Sequence, residues 1–379
     1  MRCLKLAFPC VVGLFVLVWL CAGQQQGPLQ QQDPSQTVAK KKTATGNDTS
    51  GGGDSGAGTE LPKIPSVYKK DKNAAAPGDV PTFKADVDIV TLDVAVVDNN
   101  GTFIPAIPAV KFRVLEDNVP QQIRKVELGE APITVALLVE FSQVFQQLYS
   151  GVWFQTQQLT WGFASTMRKD DYLAIIAYDI KPEILCDFTT DRNQINEALH
   201  RLTIPAWREA NMFDAVTDTA DRMSGIEGRK AILLITSGID TFSKITYDQA
   251  RKSLQQSGVP VYSISLRGLQ RAIYGDSITE LQWDNELKTF AKETGGQAWF
   301  PRFEGEYGGI FGQVHEALRH QYVVTYSSSN KNHDGAFRKL KVDLVDTDGK
   351  PLAMRDAKGK PIKYQVIYKA GYKAQREVE

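Results

Sequence analysis

The sequence of 379 residues predicts an α/β fold, a doubly wound and mostly parallel sheet with helices on both faces, plus a small antiparallel β-sandwich-like domain. Two observations predict the parallel sheet. Apolar runs such as 135–139 and 172–178 show no alternation, which is typical of strands that are covered on both faces. Segments with helical periodicity separate these runs, and such an alternation of strands and helices forms right-handed crossovers. Alternating strands on either side of this region predict the antiparallel domain.

The predicted α/β domain spans residues 131–320, and its first strand ends at Glu140. A helical pattern begins at Ser142, with an apolar stripe from Phe141 to Phe163. Asp191 is placed to cap a later helix, and Gly258 to end another. The further strands are predicted at 172–178, 183–186 (a short edge strand), 231–236, 259–266 and 298–300. The further helices are predicted at 191–202, 211–225, 247–257, 278–294 and 309–320.

The antiparallel domain is predicted from two separate stretches, 81–130 and 321–374. The first alternates apolar and polar residues and has turn sequences at 98–101 and 116–118. The second contains alternating strands at 321–327, 338–345 and 362–368. Fifty residues of β-structure are marginal alone, so we expect the second stretch to complete the sheet begun near Phe83.

The N-terminus predicts export. Arg2 and Lys5 precede an apolar stretch at 6–20, and the small residues Cys21-Ala22-Gly23 follow, so residues 1–23 have the pattern of a cleavable signal peptide. An uncleaved anchor is the alternative, although 6–20 is short for a membrane span. A lipoprotein signal is less favoured because Leu20 is bulky. Residues 24–80 have the composition of a disordered, low-complexity linker. The expected location is the periplasm, the cell envelope or the medium.

Charge and cysteine content narrow the functional classes. Lysine plus arginine equal aspartate plus glutamate, 44 of each, so no global charge favours nucleic acid, and membrane contact is expected only through the N-terminal segment. Three of the four cysteines lie inside the predicted signal peptide. The exported chain would keep only Cys186, which excludes an internal disulfide and has the apolar flanks of a buried thiol.

Six stretches of the α/β region resemble a von Willebrand factor A domain in their order: LLVEFS, DDYLAIIAYD, NMFDAVTD, AILLITSGID, VPVYSISL and KETGGQAWF. The flanking stretches, among them VDIVTLDVAVVDNNG and RHQYVVTYS, resemble secreted acidobacterial proteins related to this domain. The resemblance covers about residues 81–374. It implies a Rossmann-like sheet and an adhesion or interaction function.

The resemblance also implies a site for a divalent metal at the top of the sheet, built from hard oxygen ligands with one open position. The family's five ligand positions fall on Glu140, Ser142, Val144, Ala210 and Ser237 of this chain. Only Ser142 keeps the family's residue type. Val144 and Ala210 have no side-chain oxygen, and Ser237 replaces a carboxylate. We therefore expect a degenerate site without a bound cofactor; Glu140 and Ser142 are the remaining ligands if Mg²⁺ binds.

Further candidates for binding lie near these positions: Trp207, Glu209, Asn211, Asp214 and Asp240. The sequence predicts an exported, non-enzymatic module that binds a protein or a surface ligand through the loops at the top of the sheet. A metal-dependent module that uses Mg²⁺ or Mn²⁺ is the alternative. A hydrolase is disfavoured, since no G-x-S-x-G elbow surrounds Ser142 or Ser237, and His315 and His320 are one residue too far apart for the HExxH zinc motif.

Overall fold

The computed structural model describes residues 89–129, 131–143, 152–202, 207–268, 278–356 and 358–376. The predicted signal peptide and linker lie outside these residues. In chain order the strands are β1 (Ile89–Asp98), β2 (Phe112–Glu116), β3 (Val119–Pro120), β4 (Gln122–Gly129), β5 (Ile133–Glu140), β6 (Tyr172–Tyr178), β7 (Pro182–Thr189), β8 (Arg229–Thr236), β9 (Val261–Ser265), β10 (Ala298–Trp299), β11 (Gln321–Ser327), β12 (Phe337–Leu344), β13 (Met354–Arg355), β14 (Pro361–Ile362), β15 (Tyr364–Ile367) and β16 (Gly371–Lys373).

The helices within the described residues are α1 (Val152–Thr166), α2 (Arg192–Arg201), α3 (Met212–Ser224), α4 (Tyr247–Ser257), α5 (Ile278–Thr294) and α6 (Tyr307–Arg319). Two single 3-10 turns cover Ala109–Lys111 and Glu304–Glu306. The predicted caps are present: the Asp191 side chain accepts a hydrogen bond from the Asn193 N–H at the start of α2, and Gly258 ends α4 with a φ of 67°.

The central sheet has six strands in the order β10-β9-β8-β5-β6-β7. All neighbouring strands are parallel except β7, which lies antiparallel to β6 at the edge. The chain moves outward from β5 to β7, then returns to build β8, β9 and β10 on the other side of β5. The switch point of this doubly wound sheet therefore lies between β5 and β8, where such sheets form ligand sites.

Helices cover both faces of the sheet, which confirms the predicted α/β class. Val135, Leu137 and Val139 pack with α1, α2 and α6 on one face. Ala136 and Leu138 pack with α3, α4 and α5 on the other. An uninterrupted apolar run is thus needed in β5, because every residue of the strand is buried on one face or the other.

The start of the first helix differs from the prediction. Ser142 and Gln143 are not helical, the described part of α1 is Val152–Thr166, and residues 144–151 lie outside the described part of the chain. The Gln143 N–H donates to the carbonyl oxygen of Trp207 at 2.6 Å instead of entering a helix. Phe141 packs edge-on against Trp153, with ring centroids 5.1 Å apart. Tertiary contacts at the end of β5 thus override the helical spacing that begins at Phe141.

Two four-stranded sheets flank the α/β part, in the orders β15-β1-β11-β4 and β16-β12-β2-β3. Strand β1 pairs antiparallel with β11 and β15, so strands from before and after the α/β part share one sheet. Residues of both sheets form one apolar cluster, which includes Leu92, Val114, Val324 and Val342. These contacts join stretches of the chain that are far apart in sequence.

A buried ion pair ties the end of α6 to the α/β sheet. The guanidinium of Arg319 donates to Asp171 Oδ1 at 2.9 Å and to Oδ2 at 2.5 Å. Asp171 also accepts the N–H groups of Ile133 and Arg168. Burial alone would raise the pKa of Asp171, but these hydrogen bonds outweigh it and hold the pKa below its ordinary value. The pair therefore fixes the beginnings of β5 and β6 against α6.

Cys186 is a free, buried thiol on β7, and burial raises its pKa. We expect a thiol reagent to modify it slowly in the folded protein and quickly in denaturant, because the thiolate is the reactive form. Absorbance of the released chromophore, with and without denaturant, measures the two rates. Equal rates would contradict a buried position.

Among the described residues, no helix is both long enough and apolar enough to cross a bilayer.

Candidate functional site

The candidate site lies at the switch point of the central sheet, where β5 and β8 end side by side. Glu140 is the last residue of β5, and Thr236 is the last residue of β8. Ser237 and Gly238 follow Thr236, and Gly238 has a φ of 80°, a conformation that favours glycine. This turn brings the backbone and hydroxyl of Ser237 towards the Glu140 side chain.

The carboxylate of Glu140 is buried and accepts hydrogen bonds from the protein on both oxygens. Oε2 accepts the N–H of Ser237 at 2.7 Å, the Ser237 hydroxyl at 2.8 Å and the Thr236 hydroxyl at 2.9 Å. Oε1 accepts the Ser142 hydroxyl at 3.0 Å, and the Ser237 hydroxyl also lies 3.0 Å from it. The extra methylene of glutamate lets the carboxylate reach the hydroxyl that stands in place of the family's second carboxylate.

Tyr178 and Thr236 extend this network, and neither was predicted from the sequence. The Tyr178 hydroxyl donates to Thr236 Oγ1 at 2.8 Å, and it lies 3.4 Å from Glu140 Oε2. The Gly238 N–H also donates to Thr236 Oγ1. Tyr178 is the last residue of the apolar strand β6, and Thr236 is the last residue of β8. Their proximity to Glu140 therefore depends on the fold and not on local sequence.

Burial dominates the electrostatics of the site. It raises the pKa of Glu140, and the hydrogen bonds from Ser237, Thr236 and Ser142 only partly oppose this effect. Burial and the nearby Glu140 charge raise the pKa of Tyr178 well above its ordinary value, so the phenol stays protonated. The network is a satisfied set of buried polar groups, which rigidifies a core when every member has a partner.

A buried ion pair between Arg267 and Asp284 supports the turn at Ser237. Arg267 donates through Nε to the carbonyl oxygen of Ser237 at 2.6 Å and forms a buried ion pair with Asp284 of α5. Its guanidinium also lies over the ring of Trp283, 5.2 Å from the centroid. Arg267 follows β9 in an otherwise apolar stretch, and nothing in its sequence spacing indicated this contact.

The loop that carries Ala210 is buried against the next loop of the site. The Ala210 N–H donates to the Thr241 hydroxyl at 2.9 Å, and its carbonyl oxygen accepts the N–H groups of Thr241 and Phe242. Asn211 is buried, and its amide donates to the carbonyl oxygen of Ile180 at 3.0 Å. Both residues thus hold the loops together. Val144, the remaining family position, lies outside the described residues.

Of the nearby candidates, Trp207 is the exposed one. Its side chain is 53% exposed, and so is that of Phe242 on the facing loop. Glu209, two residues after Trp207 in the chain, is half-buried, and its side chain has no hydrogen bond among the described residues. By contrast, the two tryptophans of α1 pack internally: Trp153 contacts Phe141, and Trp161 contacts His200 with centroids 4.9 Å apart.

Asp240 and Asp214 lie on the outer side of the same loops. Asp240 accepts the Ser243 hydroxyl at 2.5 Å and the Phe213 N–H at 3.2 Å. Asp214 accepts the N–H groups of Lys244 and Ile245. The two carboxylates therefore brace the loop 240–245 against the start of α3, which is acidic on its outer face and buries Val216, Ala220 and Met223 on the inner one.

The residues at this site do not fit a divalent metal. The Ser142 and Ser237 hydroxyls donate their protons to Glu140, so the oxygens of this carboxylate are occupied by donors of the protein. Within the part of the chain that the structure describes, no group of three His, Cys, Asp or Glu side chains could hold a metal ion. Mg²⁺ requires near-octahedral oxygen ligation and dehydrates reluctantly, so a metal would first have to break this network.

The histidines that a hydrolase or a zinc site would need lie elsewhere. His315 stacks on Phe163 and contacts the Thr166 hydroxyl, and burial lowers its pKa to about 4. His320 packs near Phe103 instead of beside His315. The two histidine rings thus have different packing partners.

No protein-family model matches the chain, and no curated protein matches it. Similar solved structures include an aerotolerance-related membrane protein from Bacteroides fragilis, 18% identical, with a TM-score of 0.39 over 50% of this chain and 98% of that one. The von Willebrand domain of the type V pili tip protein Mfa5 from Porphyromonas gingivalis is 13% identical, with a TM-score of 0.34 over 50% and 97%.

Proximal thread matrix protein 1 from the mussel byssus, in a form with a zinc-occupied metal site, is 11% identical, with a TM-score of 0.40 over 54% of this chain and 50% of that one. Superpositions at these scores carry no argument about function. The strand order is the independent observation: it places β5 and β8 at the switch point, and Glu140, Ser142 and Ser237 around it. The α/β part is a doubly wound sheet, as the sequence resemblance to a von Willebrand factor A domain implies, and the chain is similar to solved structures of that family.

Proposed function

We propose that this protein is an exported, non-enzymatic interaction module of the von Willebrand factor A type, whose degenerate adhesion site works without a metal. One observation carries the proposal: both oxygens of the buried Glu140 carboxylate accept hydrogen bonds from Ser142, Thr236 and Ser237, so the protein itself occupies the oxygens that an ion would need. The adhesion site is then a rigid, hydrogen-bonded support for the loops around it. The surrounding loops are left to bind a protein or a surface ligand.

The loops around this site, which carry Trp207 and Phe242, have the features of a binding surface. Trp207 and Phe242 are exposed large apolar residues on facing loops, whose backbones are joined through Ala210. Exposed aromatic residues on rigid supports are typical anchors of protein interfaces. The Ser142 and Ser237 hydroxyls are buried together with the Glu140 carboxylate that accepts from them, which favours binding over catalysis.

The same proposal assigns roles to the rest of the chain. Residues 1–23 direct export, and residues 24–80 tether the folded part. Residues 81–130 and 321–374 together form one accessory β-sandwich-like domain around the A domain at 131–320. The pairing of β1 with β11 and β15, and the shared apolar cluster of the two sheets, support this division.

Titration with Mg²⁺ and Mn²⁺ tests the proposal. After chelation, the chain from Gln24 is expected to give heats in isothermal titration that match dilution, because binding would have to displace the donors on Glu140. Glu140→Gln is the control, since it removes the charge but keeps the shape of the side chain. Saturable binding by the natural protein that this variant loses would overturn the proposal and establish metal-dependent adhesion.

A further inference from the structure

Acidic side chains form a row along the top of the α/β part. This acidic row consists of Glu286 on α5, Asp240 after β8, and Asp214 on α3. All three accept hydrogen bonds from neutral donors: Glu286 from the Gln282 amide at 3.1 Å, Asp240 from Ser243 and Phe213, and Asp214 from backbone N–H groups. None of the three forms an ion pair with any residue that the structure describes.

The members of the row act on one another. Burial raises the pKa of Asp240, and the charge of Asp214 raises it further. Burial likewise raises the pKa of Glu286, and the charge of Asp240 adds to this effect. A like charge that raises the pKa of a neighbouring carboxyl group marks negative potential at this surface. A cation that arrives from outside would relieve it.

An apolar groove begins beside this row. The α4–α5 groove has a volume of about 500 Å³ and is lined by Tyr247, Ile278, Leu281 and Glu286, among others. Ile278 and Leu281 are exposed, and Leu281 retains 47% of its accessible surface. Since Glu286 belongs both to the groove and to the acidic row, the apolar and the anionic surfaces are continuous.

We propose that the α4–α5 groove and the acidic row bind a polypeptide segment that carries lysine or arginine beside a bulky apolar side chain. The inference rests on the proposed function, because it names the partner class for the same metal-free surface. The apolar side chain enters the groove next to Leu281 and Tyr247. The cationic side chain reaches Glu286 and Asp240, whose charges it neutralises.

The sign of the charge decides the class of partner. A metal at the switch point would add positive charge and favour a carboxylate on the partner. With Glu140 held by internal donors instead, the surface keeps the negative charges of the acidic row. An acidic segment would meet like charges there, and like-charge juxtaposition at an interface is costly. The cationic segment is therefore preferred.

Fluorescence anisotropy with a labelled short peptide, one leucine flanked by lysines, tests the inference in the presence of a chelator. A peptide with glutamate at each lysine position tests the charge, and one with alanine for leucine tests the groove. The lysine–leucine peptide is expected to bind most tightly, and its affinity to fall as salt is added. Equal binding of the glutamate peptide would overturn the inference.

Matched variants locate the binding. Asp240→Asn combined with Glu286→Gln is expected to weaken the lysine–leucine peptide about tenfold, a sum of modest exposed-charge terms, whereas Glu227→Gln at the opposite end of the sheet leaves its affinity unchanged. Leu281→Ser is expected to weaken binding, whereas Leu128→Ser on the edge strand β4, a site of similar exposure at 52%, does not. Unchanged binding by both test variants would overturn the inference.

The two proposals fail in different ways. Saturable Mg²⁺ binding through Glu140 would overturn the metal-free function, and the chelator removes that effect from the peptide measurement. Preference for the glutamate peptide in chelator would overturn the partner class alone. The circular dichroism spectrum of each variant verifies that the fold is retained. If Glu286→Gln does not fold, Asp240→Asn alone replaces the double variant. We expect the single change to weaken binding less than the double change.

Discussion

Replacing Arg319 with alanine is expected to lower the free energy of unfolding by about 3–5 kcal/mol, the usual cost of breaking a buried ion pair by removing one partner. The change leaves the buried Asp171 carboxylate with its backbone donors alone and opens a void at the end of α6. Urea denaturation followed by circular dichroism measures the loss as a lower midpoint at similar slope.

The exposed pair of Arg201 and Glu183 provides the control. Both side chains are more than half exposed, so Arg201→Ala is expected to cost less than about 1 kcal/mol. Because the folded pKa of Asp171 lies below its unfolded value, its stabilising contribution is present above that unfolded value. It is lost as the pH falls through the folded pKa, and Asp171→Asn should remove this acid dependence. A cost for Arg319→Ala no greater than that of Arg201→Ala would contradict the structural role.

Glu140→Ala is expected to cost about 3 kcal/mol, because it leaves the Ser237 N–H and the surrounding hydroxyls buried without an acceptor. Glu140→Gln is expected to cost about 1 kcal/mol or less. The amide oxygen can still accept the Ser237 N–H and the Thr236 hydroxyl, and the Ser142 hydroxyl can rotate to accept from the amide. Thermal and urea unfolding of the two variants at neutral pH give the comparison.

The pH dependence of the Glu140→Gln variant separates charge from shape. Burial raises the folded pKa of Glu140, so its contribution to stability is fully present below the ordinary glutamate value and is lost as the pH rises through the folded pKa. Relative to the natural protein, Glu140→Gln should therefore gain stability as the pH rises through this range. An identical pH profile would show that the carboxylate is not desolvated.

Most of the fold could be predicted because its signals are local. Apolar runs without alternation predicted β5, β6 and β8, and capping residues such as Asp191 and Gly258 marked helix ends within a residue or two. The error at Ser142 has a physical reason. The apolar spacing of Phe141 resembles a helix, but its ring packs on Trp153 and the backbone of Gln143 bonds to the facing loop.

The site could be predicted only in part, since its chemistry depends on contacts between distant strands. The substitutions at Glu140 and Ser237 were visible in the sequence, and they led us to expect a degenerate site. Residue types alone could not predict that the Glu140 carboxylate would accept the hydrogen bond of the Ser237 hydroxyl. The roles of Tyr178, Thr236, Thr241 and Arg267 also depend on where parallel strands end relative to one another, which local sequence does not encode.

The two flanking sheets set the order in which the chain can fold. The Ile107 N–H donates to the Tyr322 hydroxyl across 215 positions of sequence, and β1 pairs with β11 and β15 from the far end of the chain. Four of the five strand pairs of the central sheet join strands that are consecutive in the chain, whereas β1 and β4 need Gln321–Ser327, which lies far downstream. Contacts of such long sequence separation form slowly, and unpaired strand edges invite association in the meantime. A chain that ends before β11 would therefore leave the edges of β1 and β4 open to pairing with other chains.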